Sequence, residues 1–512
     1  MRIANRKVAG ATILAAALIF GIWIIKKTAP TPLDKSPVSK HLRHFIAEKK
    51  AQASVAAAAE GKEMLPEFKS LFAAAERGDW DTINNIFRDL RRIQAQYPDR
   101  DRTTAPEGFS VSNTVANLRS RVSEYRGEEA KSRRLHGTQW EAVREVWGAF
   151  DCLASDVGMD KYSVALGQDI IRSIPPGSIY FGGTDPGRWT VTALQASQVN
   201  GDPFFTLTQN QLSDPSYLDY LRSMYGARIY IPDEKDLEKC FSEYMDDAQR
   251  RIEHDQKLAN EPRQVKPGED VAKDSTGHIQ VSGQVAVMAI HSYVARVLFD
   301  HETNREFYVE ESFPLDWMYP QLEPHGLIMK IDRQPLTELS DEVVRQDREF
   351  WTSRLAPVIG DWLTYDGSVE QVCAFAKKVY VNHDFTGFKG DPRFVSDDWP
   401  NWMSKLRSSI AGVYAWRMGI SPTGGVVPPE FLEKAGPKRE RMAAEADFAY
   451  RQAFALCPAS PEAVFRYVNF LVNQNRTADA IAVAEVGTAA VEGKPPAPQF
   501  RYLLENLKKM RD

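Results

Sequence analysis

The chain has 512 residues, 43% of them hydrophobic and 26% charged, and a formal net charge of −5. A chain of that length is too long for a single hydrophobic core, which predicts two or three domains. It has 64 basic and 69 acidic residues, and this lack of a basic excess argues against a nucleic-acid partner. The four cysteines lie far apart with no CxxC or Cys/His metal spacing, which argues against a disulfide scaffold or a zinc site. The sequence therefore predicts no metal, and nothing in it indicates a cofactor.

The N-terminal region contains an uncharged apolar run, Val8–Ile25, with the sequence "VAGATILAAALIFGIWII". As a helix it spans about 27 Å, close to the thickness of a bilayer core. A cleaved signal peptide is the alternative, but the run ends in bulky residues and a Lys pair, which favours an uncleaved anchor. More basic residues precede the run than follow it, so we expect a cytoplasmic N-terminus. The protein is thus predicted to be single-pass, with its bulk extracytoplasmic, in a periplasm where the cell has one.

Helical patterns flank a region of alternating strands and helices. The predicted strands are Ser178–Phe181, Phe204–Thr208, Arg228–Ile231, Glu306–Glu310 and Gly326–Ile331. This alternation is typical of a parallel sheet in a Rossmann-like layer. The predicted fold class is therefore mixed: an N-terminal transmembrane helix, a helical region, a Rossmann-like α/β domain and C-terminal α-helical repeats. The predicted domains are a cytoplasmic tip with the anchor (1–27), a linker and solvated helix (28–60), a helical region (61–158), the Rossmann-like domain (159–335), a helical connector (336–437) and the repeats (438–512).

The stretch "IPPGSIYFGGTDPGRWTVTAL", residues 174–194, permits two interpretations. Glycines suit a sharp turn after a strand, and Asp-Pro suits the start of a helix, so a purely structural role explains every residue. The alternative is a ligand site, because ligands of such sheets bind beyond the carboxyl ends of the strands. The spacing is not GxGxxG, and no Walker lysine follows. The candidate ligand-binding residues at the predicted strand ends are Gly182, Gly183, Thr184, Asp185, Arg188, Gln209, Asn210 and Glu310.

Three segments of residues 160–335 resemble the extramembrane domain of a family of bacterial protein O-mannosyltransferase-like membrane proteins. They are "IPPGSIYFGGTDPGRWTVTALQ", "TQNQLSDPSYLDYL" and "REFYVEESFPLDWMYPQLEPHGLIMKID". The turn Gly182–Asp185 and the turn His325–Leu327 match the family pattern, with His325 in place of Glu. In that family the transfer chemistry belongs to many membrane spans, which this chain lacks. Glycosyl transfer therefore does not carry over, and the resemblance implies only a surface-facing envelope domain.

The C-terminal region resembles tetratricopeptide repeats (TPR). Residues at the packing positions recur with the expected period of 34 between Ala446 and Ala480. Ala484 departs from the pattern, since a large aromatic is usual there. The alternative is a helical bundle whose spacing agrees by accident. The predicted repeat-packing residues are Ala446, Tyr450, Ala453, Pro458, Tyr467, Leu471, Ala480 and Ala484.

Two functional hypotheses follow from these patterns. The first is a membrane-anchored extracytoplasmic scaffold, with Val8–Ile25 in the membrane and a protein partner bound by the repeats. The second is an enzyme or ligand-binding protein that uses the strand-end site, for a sugar or a nucleotide-like compound. The chain contains no HExxH, GxSxG or SxxK signature, so no catalytic residue is assigned and the first hypothesis is favoured.

Overall fold

The computed structural model describes residues 37–96, 137–155, 158–183, 186–258, 260, 263–265, 269–273, 279–310, 316–422, 427–432, 436–493 and 496–511. These residues form two compact units, an N-terminal unit within 37–305 and a C-terminal unit within 306–511. The predicted anchor, Val8–Ile25, lies outside the described residues. In the ranges given above, no helix combines the length and the apolarity needed to cross a bilayer.

The N-terminal unit is built mainly from helices, with short strands between them. Its helices are α1 (Pro37–Ala59), α2 (Pro66–Arg77), α3 (Trp80–Gln96), α4 (Thr138–Leu153), α5 (Lys161–Ser173), α6 (Val191–Leu194), α7 (Pro215–Tyr225), α8 (Glu234–Lys257) and α9 (Gln284–His301). Its strands are β1 (Ala154–Ser155), β2 (Gly158–Met159), β3 (Ile179–Gly182), β4 (Phe205–Thr208), β5 (Asp270–Lys273) and β6 (Ile279–Ser282). Strands β3 and β4 pair in parallel, while β1–β2 and β5–β6 are antiparallel pairs.

The C-terminal unit begins with three strands and continues as helices. The strands are β7 (Phe307–Val309), β8 (Leu322–His325) and β9 (Ile328–Ile331), and β9 pairs antiparallel with both others. The helices are α10 (Asp341–Ile359), α11 (Val369–Ala376), α12 (Pro392–Val395), α13 (Trp399–Trp416), α14 (Pro437–Leu456), α15 (Pro461–Asn473), α16 (Thr477–Ala490) and α17 (Ala497–Arg511). Helix α13 packs against both α14 and α15, and each later helix packs against the next.

Several helices begin at a polar residue followed by proline, as the sequence predicts for such pairs. The side chain of Asp214 accepts the N–H of Ser216 at the start of α7. Asp391 and Ser460 cap α12 and α15 in the same way, each followed by a proline at the first helical position. The cap satisfies an N–H that has no partner within the helix, and proline lacks one at that position.

Helix α1 buries one stripe of side chains against the rest of its unit. Lys49 lies in the middle of this stripe and is fully buried. Its Nζ is 2.7 Å from Glu145 Oε2 on α4 and 2.6 Å from the Tyr220 hydroxyl on α7. Burial lowers the pKa of Lys49, and the charge of Glu145 opposes that shift. The other buried members of the stripe are Leu42, Phe45, Ile46, Ala53 and Ala57.

The predicted fold class is wrong. The structure is 68% helical with a small sheet of mixed strand direction, so the residues that it describes form no Rossmann-like layer of about five parallel strands. Residues 228–231 are not a strand, because Arg228 ends a 3-10 turn and its guanidinium donates to backbone carbonyls of residues 199 and 200. The predicted second turn, His325–Leu327, instead joins β8 to β9 as a hairpin, with Gly326 at a φ of 63°. A tight hairpin forces antiparallel pairing.

The transmembrane helix of the predicted fold class is also unsupported. None of the helices between Pro37 and Arg511 meets the requirements for a membrane span among the residues that the structure describes. The predicted membrane contact and extracytoplasmic location rest on Val8–Ile25 and stay predictions.

Gly148 in α4 faces the ring of Trp189, and a methyl group there would lie 2.0 Å from Trp189 Cδ2. We predict that Gly148→Ala lowers the free energy of unfolding by about 1–3 kcal/mol through overpacking. The predicted value is a net loss, because the overpacking outweighs the gain of about 1 kcal/mol in helix propensity that alanine has over glycine in a helix interior. Urea denaturation of the purified chain measures it.

The control is the same change in a Trp189→Leu background, where the smaller side chain removes most of the clash. There Gly148→Ala should be neutral or stabilising. Equal costs in both backgrounds would show that the contact with Trp189 does not limit this position.

Candidate functional site

The parallel pairing of β3 with β4 brings two predicted strand ends together in the N-terminal unit. Gly182, at the end of β3, is in register with Thr208, at the end of β4. Gly183 therefore lies near Gln209 and Asn210, which begin a 3-10 turn after β4. Thr184 and Asp185, the centre of the predicted turn, lie outside the described residues. A π-helical turn, Pro186–Thr190, follows them and leads into α6.

Gly182 has a packing reason to be glycine. A Cβ there would lie 2.8 Å from Arg188 Cβ and 3.1 Å from Arg188 Cα. The π-helical turn thus approaches the strand end too closely for any side chain. This contact favours the structural interpretation of the glycine.

Arg188 points into the protein and is only 7% exposed. Its guanidinium lies 4.2 Å from the ring of Trp189, and its NH1 donates to Gln211 Oε1 at 3.3 Å. Gln209 is fully buried, while Asn210 is exposed. The predicted site residues that the structure describes in this unit are therefore neighbours, but the side chains of Arg188 and Gln209 are enclosed by protein atoms rather than lining an open cleft.

The structure adds buried titratable residues that the sequence analysis missed. Glu141 on α4 is buried, and burial raises its pKa although Arg144 lies 3.4 Å away. The charges of Asp214 and Arg188 also act on Glu141, so these groups share one polar region. His291 on α9 is buried as well, and its Nδ1 accepts the N–H of Ser213 at 3.0 Å. The only sequence signal for Glu141 and His291 is a polar residue inside a largely apolar helix.

The Tyr217 side chain on helix α7 is hydrogen-bonded to the end of strand β4. Its hydroxyl accepts the backbone N–H of Thr208 at 2.6 Å, at the last residue pair between β4 and β3. Burial raises the pKa of Tyr217 well above its ordinary value, so the hydroxyl stays neutral. The bond fixes helix α7 to the end of β4.

Glu310, the last predicted ligand-binding residue, belongs to the C-terminal unit. It is buried at the end of β7, and its Oε1 accepts the indole N–H of Trp402 on α13 at 2.9 Å. A buried carboxylate that accepts from an indole joins strand to helix. This contact gives Glu310 a structural role.

The described residues contain no group of three or more His, Cys, Asp or Glu arranged to hold a metal ion. All four cysteines are buried, and none forms a disulfide bond. A shallow open cleft in the N-terminal unit is lined by Arg222, Gly226, Ile229, Tyr230 and Ile231, and none of these is a predicted site residue.

The predicted repeat residues lie at contacts between consecutive helices of the C-terminal unit. The ring of Tyr450 on α14 stacks on Tyr467 of α15, with centroids 5.6 Å apart. Gly487 on α16 leaves room for Phe500 of α17, since a Cβ there would lie 3.0 Å from that ring. The residues that the TPR resemblance singles out are all buried: Ala446, Tyr450, Ala453, Pro458, Tyr467, Leu471, Ala480 and Ala484.

The packed helices α10 and α13–α17 form what we call the helical stack, and a buried charge network connects three of them. Asp347 on α10 and Arg407 on α13 are 2.8 Å apart, and each side chain is 1% exposed. The Tyr414 hydroxyl donates to Asp347 at 2.8 Å, and Arg407 Nε donates to Gln452 Oε1 of α14 at the same distance. The guanidinium also lies over the ring of Trp351, 5.1 Å from its centroid.

A second network runs through α14 and its neighbours. Asp447 on α14 accepts from Arg451 at 3.0 Å and from Arg476, before α16, at 2.7 Å. The Tyr467 hydroxyl of α15 donates to the same carboxylate at 3.1 Å. Arg451 also donates to the carbonyl of Tyr365 at 2.6 Å. These bonds fix α14, α15 and α16 in register.

Comparisons with protein-family models, with curated proteins and with solved structures found no match. The resemblances to tetratricopeptide repeats and to O-mannosyltransferase-like membrane proteins therefore stay predictions.

Burial lowers the pKa of His291 to about 4, and the charge of Asp214 only partly opposes this. Protons bind more readily to the unfolded chain, so the free energy of unfolding should fall as the pH drops from about 6.5 to 4. The loss from this group is up to about 3 kcal/mol. We predict that His291→Asn, which removes the titrating ring, flattens this part of the profile in urea denaturation.

The matched control is His383→Asn, because His383 is exposed and has a positive φ that asparagine tolerates. It should leave the profile unchanged. A His291→Asn protein with the same pH slope as the natural chain would show that another group causes the acid sensitivity.

Proposed function

We propose that this protein is a helical scaffold that binds a partner protein through the solvent-facing surface of helices α15 and α17. The proposal depends on one observation: in the helical stack, the residues that hold the helices together are separate from those that face the solvent. The large apolar residues and the buried ion pairs lie between the helices, as Tyr450, Tyr467 and Asp347 illustrate. A surface held by such contacts is preformed, and a preformed surface binds with a smaller loss of conformational entropy.

The solvent-facing residues of the stack support this role. On α15, Asn469 is half-buried and Asn473 is exposed, four residues apart on one side of the helix. On α17, Tyr502 and Met510 are exposed although both are large and apolar. Exposed aromatic and methionine side chains are enriched in protein interfaces.

The alternative function, ligand binding or catalysis at the strand ends, has less support. Arg188 and Gln209 are enclosed by protein, and Gly182 has a packing role. A ligand needs polar atoms that it can reach, so these contacts favour the scaffold. The proposed role is binding without chemistry, and it does not depend on the location of the protein.

Site-specific photocrosslinking in the source cells tests the proposal. A photoreactive amino acid is placed singly at Asn469, Asn473 or Tyr502 of the full chain. The control position is Val55 on α1, whose side chain is 70% exposed and lies outside the stack. We expect the same crosslinked protein from the stack positions and none from position 55.

Two results would contradict the scaffold. One is the absence of a crosslinked protein at all three stack positions. The other is a pattern at position 55 identical to theirs, which would show random contact. Each variant is first checked for an unchanged melting temperature, so that unfolding does not cause the result.

A further inference from the structure

Helix α17 exposes two large apolar side chains on one side. Tyr502 is 56% exposed and Met510 is 40% exposed. At about 100° per residue they lie about 80° apart around the helix axis, with Asn506 between them. The other exposed large hydrophobic side chains of the described residues lie in the N-terminal unit and are Val55, Leu258 and Val287.

The remaining side of α17, which begins next to Met510, anchors the helix to the stack. Phe500, Leu503 and Leu507 are buried, and the Phe500 ring lies 5.3 Å from that of Phe465 on α15. Lys508 pairs with Glu485 of α16 at 2.9 Å. Tyr502 and Met510 are not among these anchoring residues, and a large part of their apolar surface stays exposed to solvent.

The same helix is strongly basic in a chain that is acidic as a whole. It carries Arg501, Lys508, Lys509 and Arg511 against one acid, Glu505, while the chain has a net charge of −5. Lys508, Lys509 and Arg511 lie in the last turn, where positive charge interacts favourably with the helix dipole. These three residues therefore have a structural reason to be basic. Arg501 lies in the second turn, where the dipole gives no such reason, and its side chain is exposed.

We infer that the exposed half of α17, where Arg501, Lys509, Tyr502 and Met510 follow one another around the helix axis, is the docking surface for an acidic segment of the partner protein with an apolar anchor residue. The inference rests on the proposed function and names the chemistry of the partner. Tyrosine and arginine are the residues that most often dominate binding energy, and methionine adapts to irregular apolar surfaces. The positive charges select an acidic segment and speed its association.

A peptide selection tests this inference. A display library of random 16-residue peptides is selected on the purified full chain, and the enriched peptides are titrated against variants. We expect peptides of net negative charge with at least one aromatic or large aliphatic residue. Their affinity should fall about tenfold or more in Tyr502→Ala/Met510→Ala and in Arg501→Glu/Lys509→Glu. Added salt should weaken binding of the natural chain.

The matched controls change the same chemistry elsewhere on the surface. Val55→Ala removes an exposed apolar side chain outside the stack. Lys377→Glu/Arg393→Glu reverses two exposed charges of the C-terminal unit that lie on other elements than α17. All four variants alter side chains with large exposed fractions, so we expect unchanged melting temperatures and unchanged peptide affinity in the two controls.

Four outcomes would overturn the inference: no enriched peptide, peptides without an acidic bias, acidic peptides whose binding both α17 variants retain, or a dimer of this chain that Tyr502→Ala/Met510→Ala dissolves. The crosslinks from Asn469 and Asn473 separate this failure from that of the proposed function. If those crosslinks persist, the scaffold stands and only the docking surface on α17 is wrong.

Discussion

The ion pair between Asp347 and Arg407 is the contact on which the C-terminal unit most depends. Two charges that are almost completely buried lose their hydration, and only close geometry with further hydrogen bonds offsets that loss. Both conditions hold, because Tyr414 donates to the carboxylate and Gln452 accepts from the guanidinium. A shift of α13 along α10 or α14 would separate these groups inside the protein. The pair thus favours one register, and α15 packs against the two helices, α13 and α14, that it fixes.

The N-terminal unit uses the same kind of contact. Lys49 and Glu145 join α1 to α4, and Tyr220 brings α7 to the same point. In both units a charged residue stands where helical spacing calls for an apolar one. Such a residue adds little net stability, but any arrangement that leaves it unpaired is costly. We interpret these contacts as devices that specify how the helices pack, which a surface built to bind a partner requires.

Local patterns in the sequence predicted the elements with clear capping and spacing. Helix α7, Pro215–Tyr225, is such an element, because Asp214 and Pro215 define its start and Gly226 follows its end. The direction of strand pairing was beyond such patterns. The segment Leu322–His325 contains glutamate and proline and has no strand pattern, yet it pairs with β9 and makes the local sheet antiparallel. Arg228 likewise bonds to a distant loop, which a local β-rich run does not reveal.

The candidate site shows the same limit. The sequence placed Gly182, Arg188 and Gln209 near one another, since residues that follow neighbouring strands meet at one edge. It did not reveal that Arg188 would be buried against Trp189, because burial depends on what packs from elsewhere in the chain. Glu141 and His291 reach this region from α4 and α9, and no motif connects them with the strand ends.

Hydrogen exchange of the backbone amides of α13, α14 and α15 in Arg407→Met tests the account most directly. This change leaves Asp347 buried without its cation, so we predict a loss of about 3–5 kcal/mol of protection across all three helices. Asp347→Leu/Arg407→Met, which removes both charges, should restore most of that protection. Two results would contradict the claim that this pair holds the stack in register. One is amide protection in Arg407→Met equal to that of the natural chain, and the other is a loss of protection confined to the turn around residue 407.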